Sequence, residues 1–183
     1  RTFEKGAASP VLSRYARYQA EAPRLAEAKR LVYLLKVLNP QFEGKGYLDR
    51  YRAYRQTLNR VRSELKVRIS ASENTRLLAE RMASLLVDKG VNAGLARDGY
   101  EGNGLIRLRD RLEKETLFGS QLVKLRVGAS VRDGRGNEVA RAKFQGTGSS
   151  PSGFQAALKS ANREISRNLE KQGVWGALGL LEP

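Results

Sequence analysis

Any chemistry at neutral pH would have to come from serine, lysine, tyrosine and carboxylate side chains, because the 183 residues include no cysteine and no histidine. Their absence removes thiol nucleophiles, disulfides, zinc-finger and zincin sites, imidazole bases and haem ligation together. A serine nucleophile would need a lysine base, and Ser-x-x-Lys stands at none of the expected helix starts. Asp110, Glu113 and Glu115 alternate with Arg109, Arg111 and Lys114 and read as surface ion pairs of little energy. Gly146-Thr147-Gly148-Ser149-Ser150 precedes an expected helix, where small residues can hold an anion on free backbone N–H groups. Phosphoester or nucleotide chemistry would be its enzymatic reading. Ser152-Gly153-Phe154 enters that helix without the lysine of a phosphate-cradling loop. Gly99–Gly104 has neither a strong strand before it nor a helix after it. Both stretches read as plain connections, so no catalytic residue, metal ligand or cofactor is expected.

What remains is charge. Lys plus Arg number 34 against 19 Asp plus Glu, a formal net charge of +15. Such a field concentrates nucleic acid, acidic lipid, lipopolysaccharide or acidic cell-wall polymer without distinguishing among them. The excess is diffuse, with no tail-like Lys/Arg run. The candidate anion- or partner-binding residues are Lys66, Arg68, Arg107, Arg109, Lys124, Arg126 and Arg132, which alternate with apolar residues and would line one face of a sheet. A solvated face is the plainer reason for the same pattern. Trp175 is the other candidate. It lies in the apolar tail 174–181, which must either fold back onto the domain or dock on a partner, including a second copy of the chain.

These residues need elements to position them. Ser9-Pro10 reads as a helix start. Leu12, Tyr15, Tyr18, Ala22, Leu25, Ala28, Val32, Leu35 and Leu38 form a helical stripe, with a kink or break expected at Pro23. A second stripe runs from Tyr47 to Val61, so residues 1–64 form a helical-hairpin region. Six of the seven tyrosines lie there, interleaved with arginines such as Arg14, Arg50 and Arg55, and are expected mainly at the helix seam. From residue 65 the character changes. Leu65–Ile69 is a half-buried strand, and Ser70 with Glu73 has capping-box spacing before a helix that stops at Gly90. Any strand near Val91–Ala96 is short or bulged. Strands follow at 104–112, 121–132 and 138–145, the last two joined by the Asp133–Asn137 turn, and then a helix through Phe154–Leu169. The expected fold is α+β: a helical hairpin (1–64) leading into a two-layer β-α-β-β-β-α domain (65–183) with a mainly antiparallel sheet.

Two resemblances rest on these stretches. Gly146-Thr147-Gly148-Ser149-Ser150 followed by Ala156-Ala157-Leu158 resembles the end of a double-stranded RNA-binding domain, with Pro151-Ser152 standing where that family has its lysine pair. Residues 65–172, including the run Val123–Gly134, are similar to the small α/β domains of bacterial envelope lipoproteins and assembly factors, the class of FlgT, the TolB amino-terminal domain, CsgG and LpoB. That likeness implies a non-catalytic scaffolding role in the periplasm or at the outer membrane, docking on protein or acidic envelope polymer. The competing expectation is a cytoplasmic nucleic-acid-binding module using the basic sheet face or the last helix. No apolar stretch is long enough to span a bilayer. The chain begins at Arg1 rather than Met, so a processed protein is expected, with room upstream for a signal peptide or lipid-bearing cysteine.

Overall fold

The structure is a computed structural model, and it describes residues 10–96 and 102–180. Ser9, Gly99, Leu181 and Glu182, on which parts of the sequence reading fall, lie outside the described residues.

Two helices, α1 (Val11–Leu38) and α2 (Lys45–Glu64), form the expected hairpin. Pro10 takes the position before α1 rather than its first turn. Pro23 does not break α1. Pro23 is exposed, and the helix is braced one turn earlier, where the Tyr54 hydroxyl of α2 donates to the Tyr18 carbonyl. Tyr15 and Tyr54 are buried at the seam and Tyr18 packs at 5.8 Å from Tyr54, whereas Tyr33 and Tyr47 stay exposed. Burial, then the Glu21 carboxylate, pushes the Tyr54 hydroxyl up to about 12.

The chain then builds one mixed sheet from β1 (Lys66–Ser70), β2 (Asn92–Leu95), β3 (Gly104–Leu117), β4 (Ser120–Asp133) and β5 (Glu138–Ser150), in the order β2-β1-β3-β4-β5. β1 pairs parallel with β2 and β3, and β3-β4-β5 is an antiparallel meander. The fold is α+β, with one strand more than the expected order because β2 does form after the helix α3 (Arg76–Asp88). Gly90, with φ of 75°, ends α3 as expected. The capping box sits two residues later than its sequence spacing suggested. Ser72 N–H donates to Thr75 Oγ1 at 3.2 Å on a 3₁₀ turn, Glu73–Thr75. Among the described residues Asp110 forms no ion pair; it accepts from the Ser72 hydroxyl and, at 2.8 Å, from Asn74 Nδ2, pinning this turn to β3.

Helices α3 and α4 (Phe154–Gln172) cover one face of the sheet. Val67, Ile69, Ile106, Val123, Leu125, Val127 and Val131 meet Leu78, Met82, Ala157, Ala161, Ile165 and Leu169 in a core with almost no exposure. Gly146 and Gly148 lie inside β5 rather than in a loop, and their missing side chains let α4 come close. A Cβ on Gly148 would sit 2.0 Å from the Ala157 carbonyl oxygen and one on Gly146 2.3 Å from that of Ala161. Along the outer edge of β5, Thr147 N–H donates to Glu164 of α4 at 2.6 Å.

The tail folds back. α5 (Val174–Ala177) sets Trp175 against Tyr15, ring centroids 5.6 Å apart, with Val174 and Leu178 buried beside it. Leu12, Tyr15, Leu58, Val61 and Trp175 belong to one continuous core with the sheet and its helices, so the base of the hairpin is built into the layer.

Candidate functional site: the open basic face of the sheet

Period-two alternation in β1, β3, β4 and β5 sends apolar side chains toward α3 and α4 and leaves the other set on a face that no described helix covers. The registers place Ser70, Arg107, Ser130 and Arg141 in one cross-strand row. Arg109, Gly128 and Lys143 form the next, then Arg111, Arg126 and Gln145, then Glu113, Lys124 and Thr147. Lys66 and Arg68 project from β1 on the same side, and Arg132 stands opposite Leu105. The sequence reading therefore put Lys66, Arg68, Arg107, Arg109, Lys124, Arg126 and Arg132 on the correct face.

The structure does not gather all seven at one spot. Arg107, Arg109 and Arg132 line a shallow concavity of about 240 Å³, joined by Arg141 and Lys143 from β5 and by Glu138 at its rim. Gly128 forms part of its floor, where a Cβ would touch nothing closer than the Arg109 carbonyl at 3.9 Å. A missing side chain between Arg109 and Lys143 thus opens room among cations. Lys124 and Arg126 lie farther along the β3-β4 hairpin, where Glu113 faces Lys124 and pairs with Arg126 at 3.0 Å. Arg68 is held at the β1 end by a 3.3 Å bond from Nη2 to the Gly102 carbonyl. Trp175 is nowhere near this surface. It is 6% exposed, in the core beside Tyr15.

Arg141 and Lys143 were missed, as was Arg111. The signal was present in Ala140-Arg141-Ala142-Lys143-Phe144, the same alternation that gave Arg107 and Arg109. Glu138 and Arg141 form a two-pronged pair at 2.9 and 3.1 Å. The bonds from Arg141 hold the Glu138 carboxyl below its ordinary range, and Glu138 in turn raises Arg141. Arg132 Nε is buried with no hydrogen-bond partner among the described residues. The face carries no aromatic ring among the described residues, since Phe144 turns toward the helices beside Val127. Its chemistry is therefore charge and guanidinium hydrogen bonding, without a stacking platform.

No protein-family model matches the chain, nor does any curated protein. Among solved structures, the chain is similar to a minor lipoprotein from Acinetobacter baumannii, with 19% identity over 57% of this chain and 92% of that one and a TM-score of 0.38. It is similar to lipoprotein GNA1162 from Neisseria meningitidis at 10% identity, over 58% of this chain and 99% of that one, with a TM-score of 0.39. A protein of Xanthomonas campestris, XCC0632, shares 11% identity over 63% of this chain and 85% of that one, with a TM-score of 0.40.

Proposed function

We propose that this chain is a non-catalytic binding module of the bacterial cell envelope that docks, through the open face of its sheet, on an acidic envelope polymer or the acidic surface of a protein partner. The observation that carries the reading is the concavity floored by Gly128 and walled by Arg107, Arg109, Arg132, Arg141 and Lys143, with Glu138 the one carboxylate on its rim among the described residues. Guanidinium groups ranked at cross-strand spacing suit repeated carboxylate or phosphate groups on an extended partner. The envelope placement rests on the sequence likeness of residues 65–172 to envelope lipoprotein domains. With no aromatic ring on this face among the described residues, recognition would run through charge and guanidinium hydrogen bonds rather than through the base stacking typical of single-stranded nucleic acid.

The test is a salt titration of binding to an acidic polysaccharide, polyglucuronate, beside a mixed-sequence RNA. The expected result is polysaccharide binding that weakens with salt and falls about tenfold or more in Gly128→Glu, which puts a negative charge on the floor at a position where a Cβ meets nothing closer than 3.9 Å. Tighter binding to RNA with a steep salt slope would replace this reading with a nucleic-acid one. Unchanged binding in Gly128→Glu would remove the concavity from it.

A further inference from the structure

The hairpin ends in an apolar tip that no other described element covers. Leu31, Tyr33, Leu34, Leu35, Val37 and Leu38 are all exposed, Val37 and Leu38 to about four-fifths of their surface (79% and 80%). Only Val32 of this run turns inward, toward the turn at Phe42 and Gly44. At roughly 1.5 Å per residue the tip lies about 20 Å along α1 beyond Leu25, which still packs on the core. It is therefore an arm, and its apolar end contributes nothing to the layer's own core.

The angular spread of these side chains identifies what they meet. At about 100° per residue the six exposed residues occupy an arc of roughly 200°, twice the stripe by which a helix docks on one protein face and far wider than a coiled-coil seam. A second helix or a protein groove would cover part of that arc and leave the rest wet. A fluid apolar medium covers all of it. The charges fit the same occupant. From residue 28 to residue 48 the sequence has one carboxylate, Glu43 in the turn, against Lys29, Arg30, Lys36 and Lys45 around the apolar end. Tyr33 and Tyr47 add exposed rings with polar tips, the side chains that settle at headgroup depth. No described helix is long and apolar enough to cross a membrane, and eight residues of helix reach only about 12 Å. The depth is that of an interfacial contact.

We infer that the end of the helical hairpin is a membrane-docking element, which buries Leu31, Leu34, Leu35, Val37 and Leu38 at the headgroup–acyl boundary of a lipid surface rich in acidic headgroups. This inference stands on the hairpin alone and does not depend on the sheet face.

The experiment is flotation of the whole chain with vesicles of phosphatidylcholine carrying about a third phosphatidylglycerol, and with phosphatidylcholine alone. The cysteine-free sequence also allows a single environment-sensitive dye at Asn39→Cys. The expected results are binding to the acidic vesicles, a blue shift of the dye on binding, and a fall of about tenfold or more in partition for the double variant Leu34→Gln, Leu38→Gln. Gly128→Glu should keep both the binding and the shift. Binding abolished by Gly128→Glu but kept by the leucine variant, or binding with no dye shift, would overturn the inference by assigning lipid contact to the sheet face. Self-association without lipid that the leucine variant abolishes would overturn it in favour of a second copy of the chain.

Discussion

Glu138 is the residue on which the basic concavity balances. Its carboxylate occupies Arg141 through two bonds and subtracts a charge from the rim. Glu138→Gln should therefore tighten polyanion binding several-fold in an affinity titration at low salt, and weaker binding would mean that Arg141 does not reach the partner. Tyr54 makes a second residue-scale prediction. Its hydroxyl titrates near 12 when folded and near 10 when unfolded, so below pH 10 both states keep the proton and the fold has its full stability. As pH rises from 10 toward 12 the unfolded chain ionises first, and stability is lost across that window. Thermal melts over this range should fall more steeply for the native chain than for Tyr54→Phe. The open face itself was legible from the sequence, because Val123, Leu125, Val127 and Val131 leave Lys124, Arg126 and Arg132 only one side to occupy. The concavity was not. It depends on which residues stand opposite Gly128, a matter of register across β3 and β5 that no single strand displays.

At the scale of elements, α5 closes the gap between hairpin and layer, and Trp175 is its main contact. Trp175→Ala should cost about 3–5 kcal/mol and lower Tm by roughly 6–20 °C in a chain of this size. An unchanged Tm would show that Tyr15 and Leu178 hold the junction without it. That the tail needs cover was readable from composition, since eight uncharged residues include the only tryptophan, but composition left both a return to the domain and a partner site open. The β3-β4 turn was not. Phe118 and Gly119 both have positive φ, 49° and 79°, the geometry of a tight two-residue hairpin, but Phe-Gly lacks the Asn-Gly or Asp-Gly chemistry that announces one. The shifted capping box has a similar origin. Ser70 ends β1 because its backbone pairs with β3, leaving Ser72 to start the turn.

At the scale of the molecule, the division near residue 64 that the sequence suggested separates an all-helical stretch from a mixed one but not two cores. Leu12 lies against Gly104, and Tyr15 against Trp175, so the hairpin base and the layer share one interior. Sequence patterning tells helix from strand within a segment, whereas contacts between segments many residues apart leave no local trace. The bond from Thr147 N–H to Glu164 has a consequence for colloidal behaviour. β5 is an outer strand, and an outer strand with unmet N–H groups is a template for the same strand of another molecule. Glu164 occupies one such donor with a carboxylate, placing a negative charge and a side chain where a neighbouring strand would have to lie. Glu164→Ala should leave the folded monomer intact yet speed the growth of light scattering during storage at high concentration. In salt, where the repulsion from a net +15 is screened, the difference between the two proteins should widen.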